Sequence, residues 1–111
     1  MVTHSKIELE NELDTAATII FIISAQGSKK DFVDLYILLK KYKLSEVLKF
    51  FHNKYRGYNY NPLQPLRSLV YFTDAEDDLM PDIFFKVTWL EVKKFFKKEV
   101  PIIAKKLIGL S

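Results

Sequence analysis

Two aspartates, Asp31 and Asp34, lie one helical turn apart at the head of one of the most apolar stretches of the chain, SAQGSKKDFVDLYILLKKYK (residues 24–43). Paired carboxylates can take part in phosphoryl transfer, where one of them lies near the metal ion or the nucleophile. A carboxylate can also stabilise the first turn of a helix through the helix dipole. The choice between these two uses decides most of what the sequence says about function.

The local pattern predicts a helix that begins after Ser28. Ser28 can cap this helix, because Asp31 follows three residues later in the position of a capping box. The apolar residues that follow cover the helix nearly all round, so we expect it to be central in the fold. Asp31 is therefore interpreted as a helix-start residue. Asp34 has apolar neighbours and remains a candidate functional carboxylate, although Lys30 at i−4 could pair with it.

The rest of the chain predicts an all-α bundle of four or five helices. Three glycines and four prolines leave room for few turns, which favours long helices. Residues 6–9 alternate apolar and polar side chains, so they are either a short N-terminal strand or an extended lead-in. Gly27 is expected to cap the end of the first helix, and SLVYF (68–72) could also be a strand. Besides the helix after Ser28, helices are expected at about residues 12–25, 45–55 and 63–72 and from residue 88 onward.

The last helix has the clearest start signal. Thr88 and Glu91 are spaced as a capping box, and Val87 and Val92 can close a hydrophobic staple. Pro101 lies inside the apolar stripe that follows. Because proline removes one hydrogen bond and crowds the preceding turn, we expect a bend just before it.

Composition limits the class of protein. The chain has 111 residues and is 49% apolar, which indicates one globular domain over residues 1–111. It has no cysteine, so it forms neither disulfides nor a thiolate zinc site. His4 and His52 lack metal-ligand spacing, and no P-loop, HExxH or GxSxG pattern occurs. We expect no cofactor and no metal site in this chain alone.

Charge and hydropathy argue against two further classes. The net charge of +3, from 17 basic and 14 acidic residues, is too small to argue for nucleic-acid binding by itself. The apolar run at residues 16–23 is too short to cross a bilayer. The N-terminus, MVTHSKIELENE, is polar and mixed in charge, unlike a signal peptide. We therefore expect a cytoplasmic protein without a membrane partner, with the acidic run at 74–82 and the basic run at 93–99 both solvated.

Two segments carry a resemblance to a known family. KKDFVDLY (29–36) and SLVYFTDAEDDLMP (68–81) are similar to parts of the C-terminal helical region of the AbiEii-like nucleotidyltransferase toxins, of the abortive-infection and type IV toxin–antitoxin group. The resemblance extends from Ile7 to about Lys106. It implies a helical region that, in the family, follows a nucleotidyltransferase core and adds a lysine, an arginine and a carboxylate facing the nucleotide. The family cofactors would be a nucleoside triphosphate and Mg²⁺.

The match to the family's site is incomplete. The Lys-Asp-x-x-Asp element corresponds to Lys30, Asp31 and Asp34, which makes them the candidate catalytic residues, with Asp34 as a vestigial site position. The family's lysine and arginine fall at Ile19 and Gln26, which cannot neutralise a phosphate. Because the resemblance begins at Ile7, we expect this chain to lack the family's nucleotide-binding core. The resemblance therefore implies carboxylates without a complete site.

Three hypotheses follow. The first is a non-catalytic helical module, a remnant or an interaction domain, which pairs with another copy or a partner protein through the helix around Ile19–Ile23. The second is one half of a split nucleotidyltransferase, which would transfer nucleotides to tRNA or protein together with a separately encoded core. The third and weakest is RNA binding through a lysine-rich helix face, formed by Lys93, Lys94, Lys97, Lys98, Lys105 and Lys106.

Overall fold

The computed structural model describes residues 6–81, 86–107 and 109, and within these ranges the regular structure is entirely helical. Five α-helices are present in this part of the chain: α1 Lys6–Gln26, α2 Lys29–Leu38, α3 Leu44–Lys54, α4 Leu63–Ser68 and α5 Trp89–Leu107. A 3-10 turn, Thr73–Ala75, lies between α4 and α5. The predicted all-α bundle of four or five helices is confirmed. No helix in these ranges is long and apolar enough to cross a membrane.

The first helix is longer than the sequence predicted. Residues 6–9 are the first turn of α1, so the alternative of a short N-terminal strand is wrong. Four alternating residues are too few to separate a strand from a helix once the following turns extend the helix. Further along, Ala16, Ala17 and Ile20 are fully buried, because this face of α1 packs against α2, α3 and α4.

Gly27 follows the last residue of α1, as expected, but for a different reason. Its φ is not positive, so it is not the left-handed cap that the sequence suggested. A Cβ atom at this position would lie 3.0 Å from Cε2 of Phe32 and 3.2 Å from Cγ2 of Ile23. Glycine suits this corner between α1 and α2, because a Cβ atom here would fit only if the neighbouring side chains shifted by a few tenths of an ångström.

The central helix α2 lies between α1 and α5. Phe32, Val33 and Leu35 are fully buried. The ring of Phe32 contacts Phe96 of α5, with ring centroids 5.9 Å apart, and the ring of Phe72, at 5.2 Å. Lys30 is the one exposed residue of α2, and the remaining side chains that are not buried are half-buried, so the helix is covered on most sides, as expected.

The chain between α4 and α5 supplies core residues without regular helix. α4 ends at Ser68, four residues earlier than predicted, and Leu69 and Phe72 then turn into the core. The strand alternative for residues 68–72 is therefore wrong. A short apolar run of this kind is compatible with a helix and with a strand, because consecutive apolar residues show neither the helical period of about 3.6 residues nor the strand period of two.

The start of α5 is as predicted. The amide of Glu91 donates to Oγ1 of Thr88 over 3.1 Å, and the amide of Thr88 donates to Oε1 of Glu91 over 3.4 Å. Val87 packs, half-buried, against the core to which the buried Val92 belongs. The helix continues through Pro101 to Leu107 without a break.

Candidate functional site

Asp31 is the N3 residue of α2 and completes its capping box. Its Oδ2 atom accepts from the amide of Ser28 over 3.0 Å, and its own amide donates to Oγ of Ser28 over 3.2 Å. The hydroxyl of Ser28 also lies 2.8 Å from the same carboxylate oxygen. These bonds satisfy backbone groups that a helix start leaves open. The structure thus gives Asp31 a local structural role, as the sequence predicted.

Asp34 lies on the solvent side of α2, paired with Lys30. The ammonium of Lys30 is 2.8 Å from Oδ2 of Asp34, and the Asp34 side chain is 35% exposed. The hydrogen bond to Asp34 raises the pKa of Lys30. The apolar neighbours of Asp34 turn inward instead of surrounding it. The sequence had left open that Asp34 pairs with Lys30, and in the structure its carboxylate is both paired and partly solvent-exposed.

The two positions that correspond to the family's cations lie in different surroundings. Ile19 is 9% exposed and belongs to the core, where it packs with Ile20 and Ile23. Gln26 is exposed at the end of α1 and lines a cavity of about 300 Å³ together with Arg67 of α4. Of the two positions that the resemblance aligns with cations, one is therefore a buried isoleucine and the other an exposed neutral amide.

A buried lysine next to the candidate pair was not recognised in the sequence. Lys29 is 8% exposed, and its ammonium donates to the carbonyl of Glu76 over 3.1 Å. Its amide donates to Oδ2 of Asp78 over 3.0 Å, so a second carboxylate binds the start of α2. The ammonium also lies 5.1 Å from the ring centroid of Trp89, within cation–π range.

The acidic segment is therefore not simply a solvated loop. Glu76 accepts from Nε1 of Trp89 over 2.7 Å and pairs with Lys93 at 3.1 Å. The hydrogen bond from Trp89 has the largest effect on the pKa of Glu76 and lowers it, and the hydrogen bond from Lys93 lowers it further. The segments KKDFVDLY and SLVYFTDAEDDLMP, which carry the family resemblance, thus contact each other through Lys29 and the 74–80 turn. Their pairing across 47 and 49 residues could be read only from the tertiary structure.

The predicted interface around Ile19–Ile23 needs a correction. Ile19, Ile20 and Ile23 are buried in the chain's own core, whereas Phe21 is 40% and Ile22 is 42% exposed. A helix with apolar residues at five consecutive positions must direct some of them outward, and the sequence could not show which. The exposed apolar surface of α1 is therefore centred on Phe21 and Ile22.

Phe21 belongs to an aromatic face that joins α1 to the end of α3. Its ring stacks on Tyr55 with centroids 4.6 Å apart and meets the edge of Tyr58 at 5.8 Å. These three rings, with Pro65 and Tyr60, line a cavity of about 260 Å³. Tyr58 is 60% exposed, so the face is open to a neighbouring molecule. We call Phe21, Ile22, Tyr55 and Tyr58 the aromatic face.

His52 contacts a tyrosine through both its ring nitrogen and its ring face. Its Nδ1 atom lies 2.6 Å from Oη of Tyr60, and the two rings are stacked nearly parallel. Burial lowers the pKa of His52, which favours the neutral imidazole near pH 7. The pair fixes the 56–62 loop against α3. His4 lies outside the described residues, and no metal-binding group of three or more ligand side chains occurs among those described.

The six lysines of the predicted nucleic-acid face do not act alike. Lys93 is paired with Glu76, and the ammonium of Lys97 lies 5.9 Å from the ring centroid of Phe72. Lys97 is nevertheless exposed, as are Lys94, Lys98, Lys105 and Lys106. Of the six charges, that of Lys93 is the one held in an ion pair within the described part of the chain.

Comparison with known proteins gives one similar relative. No family model matches the chain, and no solved structure matches it. The chain is 38% identical over 96 residues to the uncharacterized protein aq_aa25 of Aquifex aeolicus strain VF5. The matched residues make up 85% of this chain but 45% of the Aquifex protein, so the chain spans less than half the length of this relative. The resemblance to AbiEii-like toxins stays a prediction.

Proposed function

We propose that this chain is a non-catalytic helical module, related to the C-terminal region of AbiEii-like nucleotidyltransferases, that packs against a second protein unit. The observation that carries the proposal is the way the fold uses its two candidate aspartates. Asp31 is engaged in the capping box, and Asp34 is neutralised at the surface by Lys30. Phosphoryl transfer needs cations on the phosphates, whereas here the ammonium of Lys30 is bound to the Asp34 carboxylate.

The core position of Ile19 supports the same proposal. A lysine that faces a nucleotide must reach solvent or a polar site, whereas Ile19 is packed with other apolar side chains. Reversion to lysine would place an unpaired charge in the core. The surroundings of this position therefore favour a structural role over a vestigial phosphate contact.

The aromatic face is the surface on which we place the second unit. Phe21, Ile22 and Tyr58 are each at least 40% exposed, and Phe21 and Tyr58 line a cavity large enough for an apolar side chain. Exposed aromatic and aliphatic clusters of this kind mark protein interfaces. We take as the occupant a unit like the additional chain that the Aquifex relative contains outside the segment that matches this protein.

Nucleotide titration tests the non-catalytic part of the proposal. Isothermal calorimetry of the chain with Mg²⁺ and ATP or CTP is expected to show no saturable binding, and Asp34→Asn should leave the trace unchanged. Saturable nucleotide binding that Asp34→Asn abolishes would contradict the proposal.

The interaction part is tested with the unmatched portion of the Aquifex protein, expressed separately and shown to be folded by circular dichroism. We expect it to bind this chain, and Phe21→Ser to weaken binding by about tenfold or more. Leu90→Ser is the matched control, since Leu90 is 58% exposed and lies outside the aromatic face. No binding to the unaltered chain, or equal loss in both variants, would reject this face as the interface.

The alternative of a split nucleotidyltransferase also has an observation in its favour. Asp34 is accessible from outside, so a separately encoded core could approach it. Mixing the chain with a core that contains a Gly-Ser turn and an Asp-x-Asp pair, and following label transfer from NTP to tRNA or protein, separates the two functions. Transfer that depends on Asp34 would favour the enzyme half.

A further inference from the structure

A lysine-rimmed trough lies between the α2–α3 connection and the C-terminal half of α5. Its main cavity holds about 650 Å³ and adjoins a second cavity of about 300 Å³, because Ser45, Ile103 and Leu107 line both. Leu39, Phe95 and Ile103 give it an apolar lining. We call this surface the lysine trough; its rim carries Lys40, Lys41, Lys43, Lys49 and Lys106.

The rim carries more lysines than carboxylates. Among the described residues Glu99 lines the trough, and two further carboxylates adjoin it: Glu12 accepts from Tyr42, and Glu46 accepts from the amide of Lys43. The rim has five lysines against these three acids. Lys41 is bound to Glu12 of α1 at 3.0 Å, but Lys43, Lys49 and Lys106 form no ion pair within the described part of the chain. The trough therefore suits a ligand that combines carboxylates with an apolar side chain.

The chain itself presents such a group in the turn at residues 74–80, which we call the acidic turn. Leu79 is 92% exposed and Met80 is 37% exposed, and both follow directly on Asp77 and Asp78. A leucine held almost wholly in water gains nothing for the fold. The turn is also held in place, because Asp78 accepts from the amide of Lys29 and Glu76 from Trp89.

The acidic turn and the lysine trough lie at opposite ends of the molecule. α2 and α5 run parallel, since Phe32 meets Trp89 near their first turns, Tyr36 meets Phe95, and Leu39 shares the trough with Ile103. The acidic turn binds the N-terminal ends of both helices, and the trough lies towards their C-terminal ends. With 19 residues, α5 is about 28 Å long, so the turn cannot reach the trough of its own molecule.

We propose that the acidic turn of one copy docks into the lysine trough of a second copy, with Leu79 on the apolar lining and the Asp77 carboxylate among the rim lysines. Helix dipoles alone would explain acids at the N-terminal end and lysines at the C-terminal end. They do not explain an exposed leucine at one end and an apolar trough at the other. The contact is heterologous, so it builds a ring or an open filament. It uses neither Asp34 nor the aromatic face and does not rest on the function proposed above.

Sedimentation of the full chain at concentrations up to about 1 mM tests this proposal. We expect the average mass to rise with concentration at low salt and to fall towards the monomer in about 1 M salt, where the screening length is about 3 Å. Leu79→Ser alone, and Lys43→Glu with Lys106→Glu, should each leave a folded monomer, because all three side chains are exposed. Leu90→Ser and Lys105→Glu are matched controls that should associate like the unaltered chain.

Mixing the two monomeric variants gives the sharpest result. The Leu79→Ser chain keeps its trough, and the Lys43→Glu, Lys106→Glu chain keeps its acidic turn, so one contact remains and the mixture should form a 1:1 dimer that grows no further. An unaltered chain that stays monomeric throughout would overturn the proposal. So would variants that still associate, or folded variants that form no dimer on mixing. Association that persists in these variants but disappears with Phe21→Ser would instead assign it to the aromatic face.

Discussion

At the scale of single residues, Asp31 and Asp34 differ through what lies one turn before each of them. Asp31 follows Ser28 by three residues, which brings its carboxylate to the open amides of the helix start. Asp34 follows Lys30 by four, which brings it to an ammonium at the surface. The same residue type therefore has a defined structural role at one position and a screened, solvent-facing pair at the other.

This difference predicts unequal effects on stability. Ser28→Ala removes the cap of α2 and should lower the free energy of unfolding by about 1 kcal/mol. Asp34→Asn should leave the urea midpoint essentially unchanged, because the Lys30–Asp34 pair is exposed. Urea unfolding followed by circular dichroism measures both. A loss for Asp34→Asn as large as that for Ser28→Ala would show that Asp34 has a structural partner beyond Lys30.

At the scale of elements, the corner between α1 and α2 depends on the absence of a side chain at Gly27. The neighbouring atoms of Phe32 and Ile23 occupy the space that a Cβ atom would need. This close approach lets Ser28 cap α2 immediately after α1 ends. The corner thereby sets the positions of both candidate aspartates and of the buried Lys29.

A glycine pair tests the corner. Gly27→Ala should destabilise the protein by about 1–3 kcal/mol, the usual cost of forcing extra atoms into a packed site. Gly57→Ala is the matched control, because a Cβ atom there meets nothing within 4 Å and the φ of Gly57 is not positive. The control should be neutral or slightly stabilising. Thermal unfolding of both variants decides, and equal midpoints would refute the steric account.

At the scale of the whole molecule, the acidic turn joins the start of α2 to the start of α5. Glu76 bonds to Trp89 and Lys93, and Asp78 bonds to the amide of Lys29. The acidic turn thus lies at the N-terminal ends of these two helices, whereas Lys105 and Lys106 lie in the last turn of α5 and further lysines follow the end of α2. The molecule therefore has two ends that differ in charge.

The link through Glu76 predicts a pH dependence of stability. The pKa of Glu76 is lowered below its ordinary value of 4.5, so its ionised form stabilises the folded state. This stabilising contribution is fully present at neutral pH. This contribution is lost as the pH falls through the folded-state pKa. The melting temperature of Glu76→Gln should therefore lie below that of the unaltered chain at pH 7, and the gap should close in acid. A gap that stays constant from pH 7 to about pH 2 would show that the charge of Glu76 is not involved.

The sequence by itself determined the helical class, the Ser28–Asp31 and Thr88–Glu91 caps, and the approximate positions of the helices. These features depend on residues three or four apart, whose contacts follow from helix geometry alone. Only the tertiary structure decided that Ile19 is buried while Phe21 is exposed, that Lys29 meets the acidic turn, and that the turn and the trough lie at opposite ends. Such features depend on which faces of distant helices meet, and the apolar periodicity of one helix does not specify its neighbours.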